Sequence, residues 1–360
     1  MAIAVALSGP VASAAVGSHA VRPVRYINPL TQGHRPLACP DPHVSLTRIG
    51  AYRYVLVCTS ALAPDALPIY LSTDLVHWHR DGFVLPRGHQ PWWALASTGQ
   101  SAGGRYWAPE IVRIGRRWIV YFAAVYDPAK LHLAPVDGAP VPAGTMVLGV
   151  AVASSLRGPW RTSVLHYRGQ LDAKLRADQR EGAGSAIDPS VLTDPLTGRR
   201  YLFWTNGPDQ IWEGELSANG LSLHDHRRIR EVLSQSEPWE CDPATKNCFV
   251  EAPEPFYHQR RLYLLYSGAS TWDGSYCAAA AISSGGPAGP FRKLDRVLRS
   301  NNHFFGPGHT SQPIAGPDGK SYILYHALQN DERVLMLDRL RWRGLIPFVN
   351  DGMPGSGGSL

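Results

Sequence analysis

The sequence predicts an all-β protein, a five-bladed β-propeller, on three observations. Five stretches repeat one pattern: Pro40 to Ser60, Ala108 to Ala124, Ile187 to Thr205, Glu251 to Ser267 and Ser311 to His326. Each opens with a polar or acidic residue beside a proline and runs through a Gly- or Arg-bearing turn. Each then enters an aromatic-aliphatic strand such as Tyr54-Val55-Leu56-Val57 or Tyr201-Leu202-Phe203-Trp204. A second echo is independent of the first. Leu148 to Ala153 with Arg157-Gly158-Pro159-Trp160 matches Ala279 to Ser283 with Ala288-Gly289-Pro290-Phe291. Third, 35 glycines and 30 prolines in 360 residues punctuate many short strands and turns. Self-similarity at intervals of tens of residues marks a repeat architecture, and hairpin-like repeats without helical periodicity suggest propeller blades. If equivalent points converge on one axis, Asp41, Asp188 and Glu251 meet at its centre.

The elements follow in order. Residues 1–24 read as the later half of a secretory signal peptide or a loose tail: MAIAVALSGPVASAAVGSHA is small and apolar, but lacks a charged start. The catalytic domain is expected over residues 25–352, with 353–360 a flexible tail. Blade one runs from Cys39 to Trp78, and blade two from Tyr106 to the turn at Trp160. Blade three spans Ala186 to Leu223. Blade four contains Glu251 and ends near Phe291, and blade five spans Gly306 to Trp342. Arg87 to Arg105, Asp127 to Gly144 and Leu171 to Gly184 are long polar or Pro/Gly-rich connections, the kind that build binding surfaces on a rigid scaffold.

Composition narrows the function classes. Only 18% of residues are charged, which excludes a disordered or coiled-coil chain. The net charge of +6 comes from scattered arginines with no basic run among the aromatics, so no nucleic-acid partner is expected. No run approaches a transmembrane helix, so no membrane partner is expected, and the chain is read as a monomer. Five cysteines leave one over. Cys241 and Cys248 could close a small loop, Cys39 and Cys58 could pair across the first blade, and Cys277 is then a buried thiol. No zinc spacing is present. Disulfides would agree with export.

The motifs resemble glycoside hydrolase family 43 across residues 38 to 350. They are Ser72-Thr73-Asp74-Leu75-Val76-His77-Trp78, Tyr106-Trp107-Ala108-Pro109-Glu110-Ile111, Ala186-Ile187-Asp188-Pro189-Ser190-Val191, Val250-Glu251-Ala252-Pro253 and Gly308-His309-Thr310-Ser311. The resemblance implies an inverting mechanism on glycosides of arabinose and xylose. It implies Asp41 as general base, Asp188 as the residue that tunes the acid, and Glu251 as general acid. Inversion needs an acid to protonate the leaving oxygen and a base to activate water from the opposite side. The two sit roughly 6.5–9.5 Å apart. A third carboxylate raises the acid's pKa by repulsion.

Each assignment has a plainer rival. Asp41 and Asp188 could be turn-forming residues before proline. Glu237, Glu240, Asp242 and Glu254 compete with Glu251. Glu240-Cys241 resembles the acid motif of invertase-type propellers, and Ala252 stands where the family places glycine. Glu110 matches the family's blade-two position, at the pocket edge or in a structural role. His309 matches its axial histidine, which would hold a stabilising calcium or sodium ion or hydrogen-bond the tuning aspartate; the chemistry requires no cofactor. Arg333 falls where some members contact substrate, though it could be a surface arginine. Trp92, Trp93 and Trp107 could stack on sugars, and Trp107, beside the motif, is the substrate-binding choice.

The expected partner is a polysaccharide or oligosaccharide. The expected activity is inverting release of α-L-arabinofuranose. A β-D-xylosidase or endo-arabinanase is the alternative on the same scaffold, and a non-catalytic carbohydrate-binding propeller is the rival from another class.

Overall fold

The computed structural model describes residues 23–60, 65–95, 106–133, 141, 144–166, 185–207, 209–225 and 228–360. The expected signal-like segment falls almost wholly outside the described residues, as do parts of the connections Arg87 to Arg105 and Asp127 to Gly144 and all of Leu171 to Gly184.

Five antiparallel sheets form the blades. Blade one is His43–Ile49, Tyr52–Val57, Ala66–Ser72 and His79–Leu85. Blade two is Tyr106–Ile114, Arg117–Val125, Met146–Ala153 and Arg161–His166. Blade three is Ala186–Thr193, Arg200–Asn206, Gln210–Glu215 and Arg230–Ser234. Blade four is Val250–His258, Arg261–Gly268, Cys277–Ser283 and Phe291–Leu298. Blade five has a broken inner strand, Phe305–Gly308 and Ile314–Ala315, against Ser321–Gln329, then Glu332–Arg343 and Ile346–Val349. Second strands such as Arg117–Val125 are buried almost throughout. A blade faces a neighbour on each side, so its central strands read as unbroken apolar runs instead of alternating ones. Apolar clusters fill every junction between neighbouring blades as a result.

The repeat has a backbone signature. Asp41, Ala108, Asp188, Ala252 and His309 each adopt a left-handed conformation, with φ of 52°, 45°, 52°, 54° and 47°. None is glycine, so each costs about 1–2 kcal/mol that the surroundings must offset. Ladder register shifts at the same point in blades two to four. Such bulges re-aim side chains next to functional sites. The next blade's backbone is caught at the same place. Ala108 N–H donates to Thr59 Oγ1 at 2.7 Å, Ala252 N–H to Thr205 Oγ1 at 3.1 Å, and His309 N–H to Ser267 Oγ at 2.8 Å. Asp41 N–H closes the ring by donating to His326 Nδ1 at 3.2 Å. At the junction of blades two and three the equivalent residue is Ala123, which has no side-chain acceptor.

This register corrects one expectation. The blade-four equivalent of Asp41 and Asp188 is Ala252, not Glu251. Glu251 pairs with Ser267 as Trp107 pairs with Ala123, so it stands one residue earlier.

The chain ends correct another. Residues 353–360 do not form a free tail: Gly357–Ser359 pairs with Arg25–Ile27, and Leu360 is buried. Val24 and Leu360 exchange backbone hydrogen bonds, at 3.1 and 2.9 Å. The following segment lies along the edge of blade five through Leu30 N–H to Leu335 O and Leu335 N–H to Leu37 O. Disulfides Cys39–Cys58 and Cys241–Cys248 are formed, and Cys277 is a buried free thiol.

Candidate active site

The three carboxylates expected on the axis come together at one end of the blades. Asp41 is nearly buried and fully engaged. Its Oδ1 accepts from Arg333 Nη1 at 2.8 Å and lies 3.2 Å from His309 Nδ1 and 3.4 Å from His326 Nδ1. Its Oδ2 accepts from Thr59 Oγ1 at 2.6 Å. Burial alone would raise its pKa. The Arg333 guanidinium, then His309, His326 and the Thr59 hydroxyl, outweigh burial and hold the carboxyl well below the usual range. Burial pushes both imidazoles toward their neutral forms. His326 Nδ1 also accepts the Asp41 N–H. The permanent guanidinium charge therefore supplies the counter-charge.

Glu251 has the opposite environment. It is half-buried, and the Tyr276 hydroxyl donates to its Oε1 at 2.7 Å. Burial raises its pKa, the Tyr276 hydrogen bond lowers it, the Asp41 charge raises it and Arg333 lowers it. The balance is pushed up to about 7. Tyr276 stacks parallel to His326, with ring centroids 5.7 Å apart. The partner of Glu251 thus packs on the partner of Asp41.

Asp188 is pushed upward by burial first, then by the charges of Glu251 and Asp41. That repulsion is reciprocal, so Asp188 and Glu251 together retain a proton that separate carboxylates would lose. The hydrogen bonds favour Asp188 as the anion. Its Oδ2 accepts from Ala252 N at 3.0 Å and Thr205 Oγ1 at 3.1 Å, donors that suit an ionised carboxylate.

Arg333 is no surface arginine: its side chain is mostly buried on Asp41. Trp107 is partly exposed, immediately before the left-handed Ala108. Glu110 is a correction. It lies two residues further along its strand and is 2% exposed, which leaves no surface for a substrate. Its Oε1 accepts from Val191 N at 3.0 Å, and its Oε2 faces His43 Nε2 at 2.9 Å. It joins blades one, two and three. Glu254 lies in the same layer and accepts from Ser190 Oγ at 2.9 Å. Glu240 is fully buried and locked by Tyr266 Oη at 3.0 Å and by Lys293.

The calcium or sodium ion implied near His309 meets a poor donor set. His309 Nδ1 faces Asp41, and the Asp41 oxygens are already occupied. Hard cations prefer several oxygens. Among the described residues, ligand atoms converge within 4.8 Å at His43, Glu110 and Glu254 instead. There His43 Nδ1 accepts the Ile111 N–H at 3.2 Å. A neutral His43 then carries its proton on Nε2, facing Glu110, which makes it a donor and not a ligand. Neither set fits a resident metal.

Sequence reasoning missed Thr59, His326 and Tyr276. Thr59 and His326 were findable, since both occupy the repeat position of Thr205 and Ser267. Tyr276 lies at the end of a blade-four loop with no echo elsewhere.

A five-bladed propeller carrying one carboxyl held ionised and another poised to keep a proton is a glycoside-hydrolase arrangement. The chain belongs to the glycosyl hydrolases family 43, whose model matches residues 26–346. It is 28% identical over 338 residues to an extracellular exo-α-(1→5)-L-arabinofuranosidase of Streptomyces chartreusis, covering 89% of this chain and 87% of that one. It is 24% identical to α-L-arabinofuranosidase B of Pyricularia oryzae over 74% of this chain and 52% of that enzyme. The fold matches a thermostable family-43 glycoside hydrolase with a TM-score of 0.69 and 22% identity, covering 90% of this chain and 96% of that one. It matches an α-L-arabinofuranosidase from Lactobacillus brevis at 0.64 and 21%, covering 92% and 97%.

Proposed function

We propose that this glycosidase releases α-L-arabinofuranose from arabinose-containing polysaccharides or oligosaccharides with inversion. The observation that carries the mechanism is the contrast between Asp41, held ionised by Arg333, and Glu251, pushed up to about 7. Glu251 protonates the glycosidic oxygen as its bond to the anomeric carbon breaks. Asp41 takes a proton from water as the water oxygen bonds to the opposite face of that carbon. Asp188 keeps the proton on Glu251 by repulsion and fixes the Ala252 backbone beside it. Arg333 and Trp107 bound the sugar.

The sugar assignment is supported by the Streptomyces relative, similar over most of both chains. That relative's extracellular name and the two disulfides support export of this chain. A panel of aryl glycosides tests the reading. The α-L-arabinofuranoside should be cleaved far faster than the β-D-xyloside. Cleavage of the xyloside alone would move the substrate, and cleavage of neither would favour a binding propeller.

A further inference from the structure

We propose that Trp272 is a stacking platform for a second sugar unit at the mouth of the site, and so a determinant of preference for oligosaccharides. The proposal rests on the glycosidase reading above. Trp272 is 75% exposed, a large apolar ring left in water. It lies on the loop between Arg261–Gly268 and Cys277–Ser283.

That loop is built, not loose. It leaves the strand through a left-handed Ala269. Trp272 N donates to Ser270 Oγ at 3.3 Å and Ser275 N to Asp273 Oδ1 at 2.7 Å. The loop then delivers Tyr276 to Glu251. On the other side, the indole lies 5.5 Å from the Arg333 guanidinium, the group bound to Asp41. The ring is therefore referenced to the proton donor through the backbone and to the base through a cation–π contact. Phe305, half exposed, lies beside Gly274 of the same loop.

The ligand class follows from this chemistry. Aromatic faces take neutral, apolar surfaces such as the C–H face of a sugar ring. Arg333 stands between the indole and Asp41, so a ring stacked there lies outward of the sugar being cleaved. A one-atom leaving group such as fluoride cannot reach it, whereas the next sugar of a chain can cover it.

Trp272→Ala and Trp272→Phe test this, assayed on α-L-arabinofuranosyl fluoride and on arabinose di-, tri- and pentasaccharides. Trp272→Ala should raise KM on the di-, tri- and pentasaccharide about tenfold with little loss in kcat, the signature of lost binding common to ground and transition states. It should lose only about twofold on the fluoride, and Trp272→Phe should recover most of the difference. The pH profile should not move. Equal losses on all substrates, or a shifted acidic limb, would mean that Trp272 acts only by holding Arg333, and would overturn the proposal. Calorimetry of oligosaccharide binding to Asp41→Asn, with and without Trp272→Ala, reads the same effect without turnover. An error in the cleavage assignment therefore stays separate from an error about the platform.

Discussion

Arg333 Nη1 sits 2.8 Å from Asp41 Oδ1, although the two residues are nearly the full chain apart. The backbone accounts for this closeness. Cys39 N–H donates to the Arg333 carbonyl at 3.2 Å, and Ala38 forms a bridge with Val334. The segment entering blade one is thus sewn to blade five two residues before Asp41. Ring closure and assembly of the base are one structural event.

A pH prediction follows. Arg333 lowers the Asp41 pKa, and a base works only when deprotonated. Arg333→Met should therefore raise that pKa and move the acidic limb of kcat/KM upward by about one to three pH units. An unmoved limb would show that another group keeps Asp41 ionised.

Tyr276→Phe should act on the other limb. The Tyr276 hydroxyl lowers the Glu251 pKa, so its removal raises it. An acid works while protonated, so the alkaline limb should move to higher pH, with kcat reduced as Glu251 loses its orientation. A shift to lower pH would contradict the assignment.

Glu251→Gln should depend on the leaving group. On oligosaccharides it should lose within the roughly 10²–10⁴-fold range of general acid catalysis. On a dinitrophenyl glycoside, which departs without a proton, it should lose much less. Asp41→Asn should be crippled on both. If Glu240→Gln or Glu254→Gln gave the leaving-group-dependent loss instead, the acid would move to that residue.

The blades and their axial carboxylates were legible because strand pattern and repeat carry them in the sequence itself. The exact register was not. Glu251 seemed equivalent to Asp41 because both stand beside a proline motif, but the left-handed backbone at Ala252 fixes the true equivalence. Glu110 shared the motif context of a site residue, yet its neighbours His43 and Val191 come from other blades, a pairing no local pattern encodes. The C-terminal residues looked like a tail because their partner strand, Arg25–Ile27, lies at the other end of the chain. Trp272 and Tyr276 sit where the repeat is broken, and a loop used once leaves no periodic trace.

Removing residues 353–360 should cost stability, not only length. Leu360 is 5% exposed, and burial of such a side chain contributes about 2 kcal/mol, to which the lost pairing with Arg25–Ile27 adds. Urea unfolding should show a lower midpoint for the truncated chain. An unchanged midpoint would mean that the end pairing does not close the ring.

EDTA should leave most activity intact, since neither His309 nor the His43, Glu110 and Glu254 group offers a fitting donor set. Complete loss restored by calcium would make one of these groups a working site.

The central claim is direct displacement by water with Asp41 as base and Glu251 as acid. Proton NMR of early turnover on an α-L-arabinofuranoside tests it most directly. The account predicts that β-arabinofuranose appears first and then equilibrates. Initial release of the α anomer would contradict it, because retention requires a carboxylate acting as nucleophile.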